Sequence, residues 1–174
     1  MSVSQRYDRV SRILHWLTVP LVLVLLVIGW LMVDMPLGLK RFDTVNLHKS
    51  LGVLVLLLTL MRLLHHWVIR PAAQLPENPL AARLAHRLLY LCLLGLPLSG
   101  WLMSNAAGFG VTVYGTATLP VLLAENPFLR EVFSALHQWL GWGLCALLAG
   151  HIGAVIWHRC WLKDDVWQRM RPYD

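Results

Sequence analysis

Four long apolar runs, each able to cross a lipid bilayer, govern what this chain can become. They cover about Arg12–Val33, Leu47–Val68, Leu80–Met103 and Val132–Trp161, and a helix needs roughly 20 apolar residues to span the hydrocarbon core. Within lipid the backbone must satisfy its own hydrogen bonds, which leaves helices and closed barrels. The runs do not alternate as barrel strands do. The sequence therefore predicts an all-α fold, a four-transmembrane-helix bundle forming a single domain over 1–174. Composition agrees: 57% of residues are hydrophobic and only 14% charged, against about 25% charged in soluble domains.

The first run has an apolar core, Trp16–Val33, too long for a signal-peptide h-region, and no small-residue cleavage site follows it. It reads as an anchor. Pro20 and Pro97 fall inside spans, where membrane helices tolerate proline if neighbours satisfy the freed carbonyls. Basic residues set the orientation. With both termini in the cytoplasm, the inner segments hold Arg6, Arg9, Arg12, Arg62, Arg70, Arg83, Arg87, Arg159, Lys163, Arg169 and Arg171. The outer loops hold Lys40, Arg41, Lys49 and Arg130. This asymmetry predicts N-in, C-in and explains most of the net charge of +6 without nucleic acid. Trp16, Trp30, Trp67, Trp101, Trp139 and Trp161 lie towards span ends, at headgroup level. Cys92, Cys145 and Cys160 are isolated and form no CxxCH haem-attachment motif, so they read as small apolar fillers.

The inner connection Arg70–Pro79 carries Pro71, Pro76 and Pro79, which end one helix and restart the next. The outer segment Ser104–Arg130 is the least regular part. Gly108, Gly110 and Gly115 break it, and apolar Leu119–Leu123 is expected along the membrane surface. No internal repeat or low-complexity stretch is evident.

The chemistry lies in the histidines: His15, His48, His65, His66, His86, His137, His151 and His158. A polar group inside a span is expensive and is expected to face the bundle interior with a partner or ligand. His137 and His151 are 14 residues apart, about 21 Å along a helix and only about 40° apart in rotation. One face of the fourth helix thus offers an imidazole near each side of the membrane. His15 lies near the level of His151, and His48 near that of His137. The expected metal-binding pairs are His15 with His151 and His48 with His137. Zinc favours four close ligands, usually with Cys or carboxylate. Two separated pairs fit iron in a flat macrocycle, coordinatively full and suited to electron transfer.

Gly52, Gly141, Gly143, Ala146, Ala149, Gly150, Gly153 and Ala154 leave a face without bulk beside these histidines, although small residues also serve close helix contact. Arg62 lies 14 positions after His48 and about 21 Å deeper. There it can pair with haem propionates or snorkel to the inner headgroups.

These residues resemble the bacterial cytochrome b561 family, related to the cytochrome b subunits of hydrogenases and formate dehydrogenases. The likeness runs from Tyr7 to Pro172. It rests on Arg12-Ile13-Leu14-His15-Trp16, Asn46-Leu47-His48-Lys49, Leu136-His137, Gly150-His151, Trp161-Leu162-Lys163-Asp164 and Met170-Arg171-Pro172. The resemblance implies two haem b groups, a quinone partner and the bacterial inner membrane. Members of this size include a superoxide oxidase, which passes electrons from superoxide at the outer side to ubiquinone. On that reading Lys40, Arg41, Lys49 and Arg130 form a positive funnel for the anion. Lys49 and His158 are the candidate catalytic residues, His158 contacting or protonating the quinone. His86 is second choice for that role, while His65 and His66 read as interfacial. Two rival functions share the sequence: a subunit linking a separate dehydrogenase or hydrogenase to quinone, and a four-helix transporter or assembly factor with structural histidines.

Overall fold

The computed structural model describes residues 6–69 and 79–172. Four helices are long and apolar enough to cross a membrane: α1 (Arg9–Leu31), α2 (Leu39–Ile69), α3 (Pro79–Ala106) and α4 (Pro127–Trp157). Most of the expected connection Arg70–Pro79, including Pro71 and Pro76, lies outside the described residues.

Helix starts come earlier than hydropathy places them. α2 begins at Leu39 rather than Leu47, because its first turns carry Lys40, Arg41 and Asp43 and read as polar. α4 begins at Pro127 rather than Val132. The Asn126 side chain accepts from the Leu129 N–H at 3.1 Å, and Pro127 opens the helix, where its missing N–H costs nothing. Asp8 caps α1 in the same way, accepting from the Ser11 N–H at 3.0 Å. Pro20 and Pro97 sit inside continuous helices, as expected.

Helix contact is sequential: α1 against α2, α2 against α3, and most extensively α3 against α4. α4 has no comparable backbone contact with α1 or α2 among the described residues. At mid-height Val22, Val55, Cys92 and Leu144, one from each helix, form a buried apolar waist with leucines around it. Cys92 thus acts as the small filler expected.

Two features depart from a purely helical bundle. Within the α3–α4 connection, β1 (Thr112–Val113) and β2 (Ala117–Thr118) pair antiparallel. Tyr114 and Gly115 turn them with φ of 48° and 70°, the left-handed pair that a tight hairpin turn requires. The hairpin is tied down: the Tyr114 N–H donates to Ser50 Oγ at 3.0 Å, and Ser50 is 2% exposed. Val121 and Leu122, in the apolar stretch after it, are exposed. The second feature is the tail. α4 passes into a π-helical turn (His158–Leu162), the chain reverses at left-handed Lys163, and α5 (Val166–Met170) follows.

The tail docks on the start of α1. Tyr7 N–H donates to Arg169 O at 3.1 Å, Trp16 Nε1 to Met170 O at 2.7 Å, and Arg12 Nη1 to Arg171 O at 3.1 Å. Both ends of the described chain therefore meet at one end of the bundle, the terminal end. The α1–α2 and α3–α4 connections form the other, the loop end.

Candidate functional site

The loop end brings His48 of α2 and His137 of α4 together, their ring centroids 6.2 Å apart. Imidazole nitrogens bond a metal at about 2.0–2.1 Å, so two rings this close could hold one ion between them. His137 is also oriented for that task. Its Nδ1 stands 2.9 Å from Leu96 O and 3.1 Å from Ser99 Oγ. A carbonyl only accepts, so Nδ1 carries the proton and Nε2 presents its lone pair, the usual support of a ligating histidine. His48 Nδ1 is buried with no hydrogen-bond partner among the described residues. Each ring lies against a glycine of the neighbouring helix. A Cβ on Gly29 would stand 3.4 Å from His48 Cε1, and one on Gly100 3.2 Å from His137 Cε1.

Gly95 packs against Leu140 of α4, but five other glycines do not serve helix contact among the described residues. At Gly52, Gly141, Gly143, Gly150 and Gly153 an added methyl group would meet nothing within 4 Å. Glycine in a helix is destabilising by roughly 0.5–1 kcal/mol relative to alanine. Contact with the neighbouring helices does not account for these five.

Beside His48, Lys49 Nζ donates to Ser104 Oγ at 2.8 Å and lies 5.9 Å from the Phe109 ring centroid. Its charge is thus fixed over the loop end. Arg41 instead donates to Met35 O at 2.9 Å, and Lys40 and Arg130 are exposed.

At the terminal end, His15 and His151 lie within electrostatic reach of each other and of both Arg62 and His86. The direct ring contact there is His86 with His151, at 5.8 Å between centroids. His86 Nδ1 is 2.6 Å from Ala82 O, one turn back on its own helix. The His15 ring meets Trp16 edge-on. The Arg62 guanidinium lies 5.4 Å from the Tyr90 ring centroid. His65 ties α2 to α1, with Nε2 3.3 Å from Asp8 Oδ1 and Nδ1 3.3 Å from Ser11 Oγ.

His158 lies on the π-helical turn, with Nδ1 2.5 Å from Asp164 Oδ2. Partial burial works against the Asp164 charge. The His158 hydrogen bond, the Val166 N–H and the charges of His158 and Arg169 outweigh it and hold the carboxyl below its usual value. A lowered folded pKa stabilises above the unfolded value and is lost as pH falls through the folded one. The protection factors of amides over Lys163–Met170, with exchange corrected for its intrinsic pH dependence, are therefore expected to fall below about pH 4, while mid-α4 stays protected. Asp164→Asn should remove the pH dependence, as hydrogen-exchange mass spectrometry would show.

Sequence reasoning named the histidines but missed their supports: Leu96 O, Ser99, Gly29, Gly100 and Asp164. Spacing gives no sign of contacts between helices. Only Asp164, six residues from His158, carried a local hint.

The model of the prokaryotic cytochrome b561 family matches residues 6–173. Among curated proteins, the chain is 33% identical to cytochrome b561 homolog 2 of Escherichia coli (strain K12), covering 97% of this chain and 93% of the relative. It is 27% identical to cytochrome b561 homolog 1 of the same organism, covering 96% and 97%. With four apolar helices and histidine sites at both ends of the bundle, the chain belongs to the prokaryotic cytochrome b561 family: it is an integral membrane electron-transfer protein of the haem-b-binding kind.

Proposed function

We propose that the protein holds two haem b groups and oxidises superoxide at the loop end while reducing ubiquinone at the terminal end. The observation that carries this reading is the 6.2 Å separation of His48 and His137, at a level distinct from the His15–Arg62–His86–His151 group. Haem b supplies reversible one-electron chemistry when bound.

The ligand pairs are His48 with His137 and His15 with His151. Both join α4 to a helix whose backbone it does not approach closely, α2 and α1, as two ligands on opposite sides of a macrocycle would require. His86 meets His151 across α3 and α4, the most extensively contacting helix pair. That leaves His86 a neighbour of the site rather than the opposing ligand. Arg62 is within reach of His15 and His151 and offers its guanidinium to carboxylates there.

The described terminal end carries Arg9, Arg12, Arg62, Arg83, Arg87, Arg159, Lys163, Arg169 and Arg171, which supports placing it in the cytoplasm of a bacterial inner membrane. Lys49, fixed beside His48, draws superoxide to the opposite face. The net reaction takes two superoxide anions, one ubiquinone and two protons to two molecules of oxygen and one ubiquinol. His158 holds a proton for the quinone: Asp164 engages Nδ1 and leaves Nε2 to exchange.

Anaerobic stopped-flow spectroscopy of the detergent-purified protein tests this. A pulse of superoxide is expected to reduce the haem bands rapidly, and a ubiquinone analogue to reoxidise them. Bands that stay oxidised with superoxide yet respond to quinol would favour a protein electron donor instead.

A further inference from the structure

Beneath the π-helical turn at the terminal end lies a cleft lined by Arg159, Lys163, Asp164, Trp167, Gln168 and Arg171. Three of its six lining residues are cationic and one is acidic. The acid is already engaged: Asp164 Oδ2 meets His158 Nδ1, and Oδ1 accepts the Val166 N–H at 3.1 Å. Its charge is thus turned towards the protein, and the cleft is left with an excess of positive charge. The Arg159 guanidinium lies 5.6 Å from the Trp167 ring centroid, which holds that cation at the cleft.

Lys163 adds a second observation. Its φ of 52° is left-handed, a conformation that glycine adopts readily and that is uncommon for a long side chain. The reversal it makes places the tail under α4, with the Lys163 N–H bonded back to His158 O. Glycine would make this turn with less strain, so the ammonium is what lysine adds here.

Height in the membrane decides the kind of ligand. The cleft directly follows the α4 span, which ends at Leu162. Trp157 and Trp161 are stacked at 4.9 Å and both stand exposed on the same turn. Exposed tryptophans mark headgroup level, and basic pockets there suit anionic lipid headgroups.

We propose that Arg159, Lys163 and Arg171 bind the phosphate of an anionic phospholipid headgroup, with Trp167 forming one wall of the site. The lipid then braces the His158–Asp164 turn from outside the bundle. The proposal does not depend on which face of the membrane the terminal end occupies, nor on the quinone assignment.

The test uses the full chain in nanodiscs of phosphatidylcholine, with or without phosphatidylglycerol, and follows thermal unfolding by tryptophan fluorescence. Phosphatidylglycerol is expected to raise the unfolding temperature of the parent protein by several degrees, since a ligand bound only by the folded state stabilises it. Arg159→Gln combined with Lys163→Gly should lose most of that shift. Lys163→Gly alone, which suits the left-handed backbone and so keeps the turn, should lose part of it. Lys40→Gln, which removes one charge at the opposite end, should keep it. An undiminished shift in Lys163→Gly and in the double variant would overturn the proposal, as would an equal loss in Lys40→Gln. Inorganic phosphate reproducing the whole shift in phosphatidylcholine discs would show that the cleft takes a free anion and overturn the choice of lipid. Native mass spectrometry of the same proteins gives a second readout: retained phosphatidylglycerol should fall several-fold in the double variant.

Discussion

His137→Ala is expected to halve the haem content per chain and abolish the spectral signature of one of the two proposed b centres. His137 is the better supported member of the loop-end pair, because Leu96 O fixes its tautomer and aims Nε2 away from α3. Its removal takes away a proposed ligand that neither Ser99 nor any neighbouring leucine can replace. The loss is greater than deleting a support would cause: Ser99→Ala should weaken cofactor affinity by at most about 10–100-fold. His48→Ala should match His137→Ala, since a site with one imidazole is no longer coordinatively full. Pyridine haemochrome assay against protein concentration decides the matter. Full haem content in both variants would remove the loop-end pair from the mechanism.

The second large effect concerns the terminal end. His151→Ala should retain the loop-end haem, and superoxide should still reduce it, but the quinone analogue should no longer reoxidise it. Steady-state turnover then falls to background. His15→Ala is expected to behave in the same way, whereas His86→Ala should keep its full haem content. The distinction rests on helix contacts: the α4 backbone stays farther from α1 than from α3, along which it lies close. Should His86→Ala lose one haem and His15→Ala keep both, the opposing ligand would come from α3. The ring contact of His86 with His151 would then reflect coordination.

Much of this architecture was legible because lipid imposes a simple grammar. A run of about 20 apolar residues is a span whatever its neighbours, so four helices and their order followed directly. Fixed helical rise then placed His137 and His151 at opposite ends of one helix, and α4 does carry both without interruption. What hydropathy could not show was anything polar. The charged first turns of α2 and α4 read as loop, although Asn126-Pro127 is a recognisable start signal. The hairpin at Thr112–Thr118 depends on Ser50, 64 residues before Tyr114, holding a turn too short to stand alone. The supports of His137 come from Leu96 and Ser99, about 40 positions away, and no local pattern marks a carbonyl that happens to face another helix.

The docking of the tail across α1 has a consequence for how the molecule is made. Arg12 and Trp16 are bonded to residues 159 and 154 positions later. A chain emerging from the ribosome thus inserts its first helix long before the partners of that helix exist. These are among the most distant contacts in the sequence, and contacts of such separation form slowly. Until α5 and Arg171 are synthesised, these hydrogen bonds from the start of the first helix cannot form. The seam between the tail and the start of α1 therefore forms late, after all four membrane helices have been made.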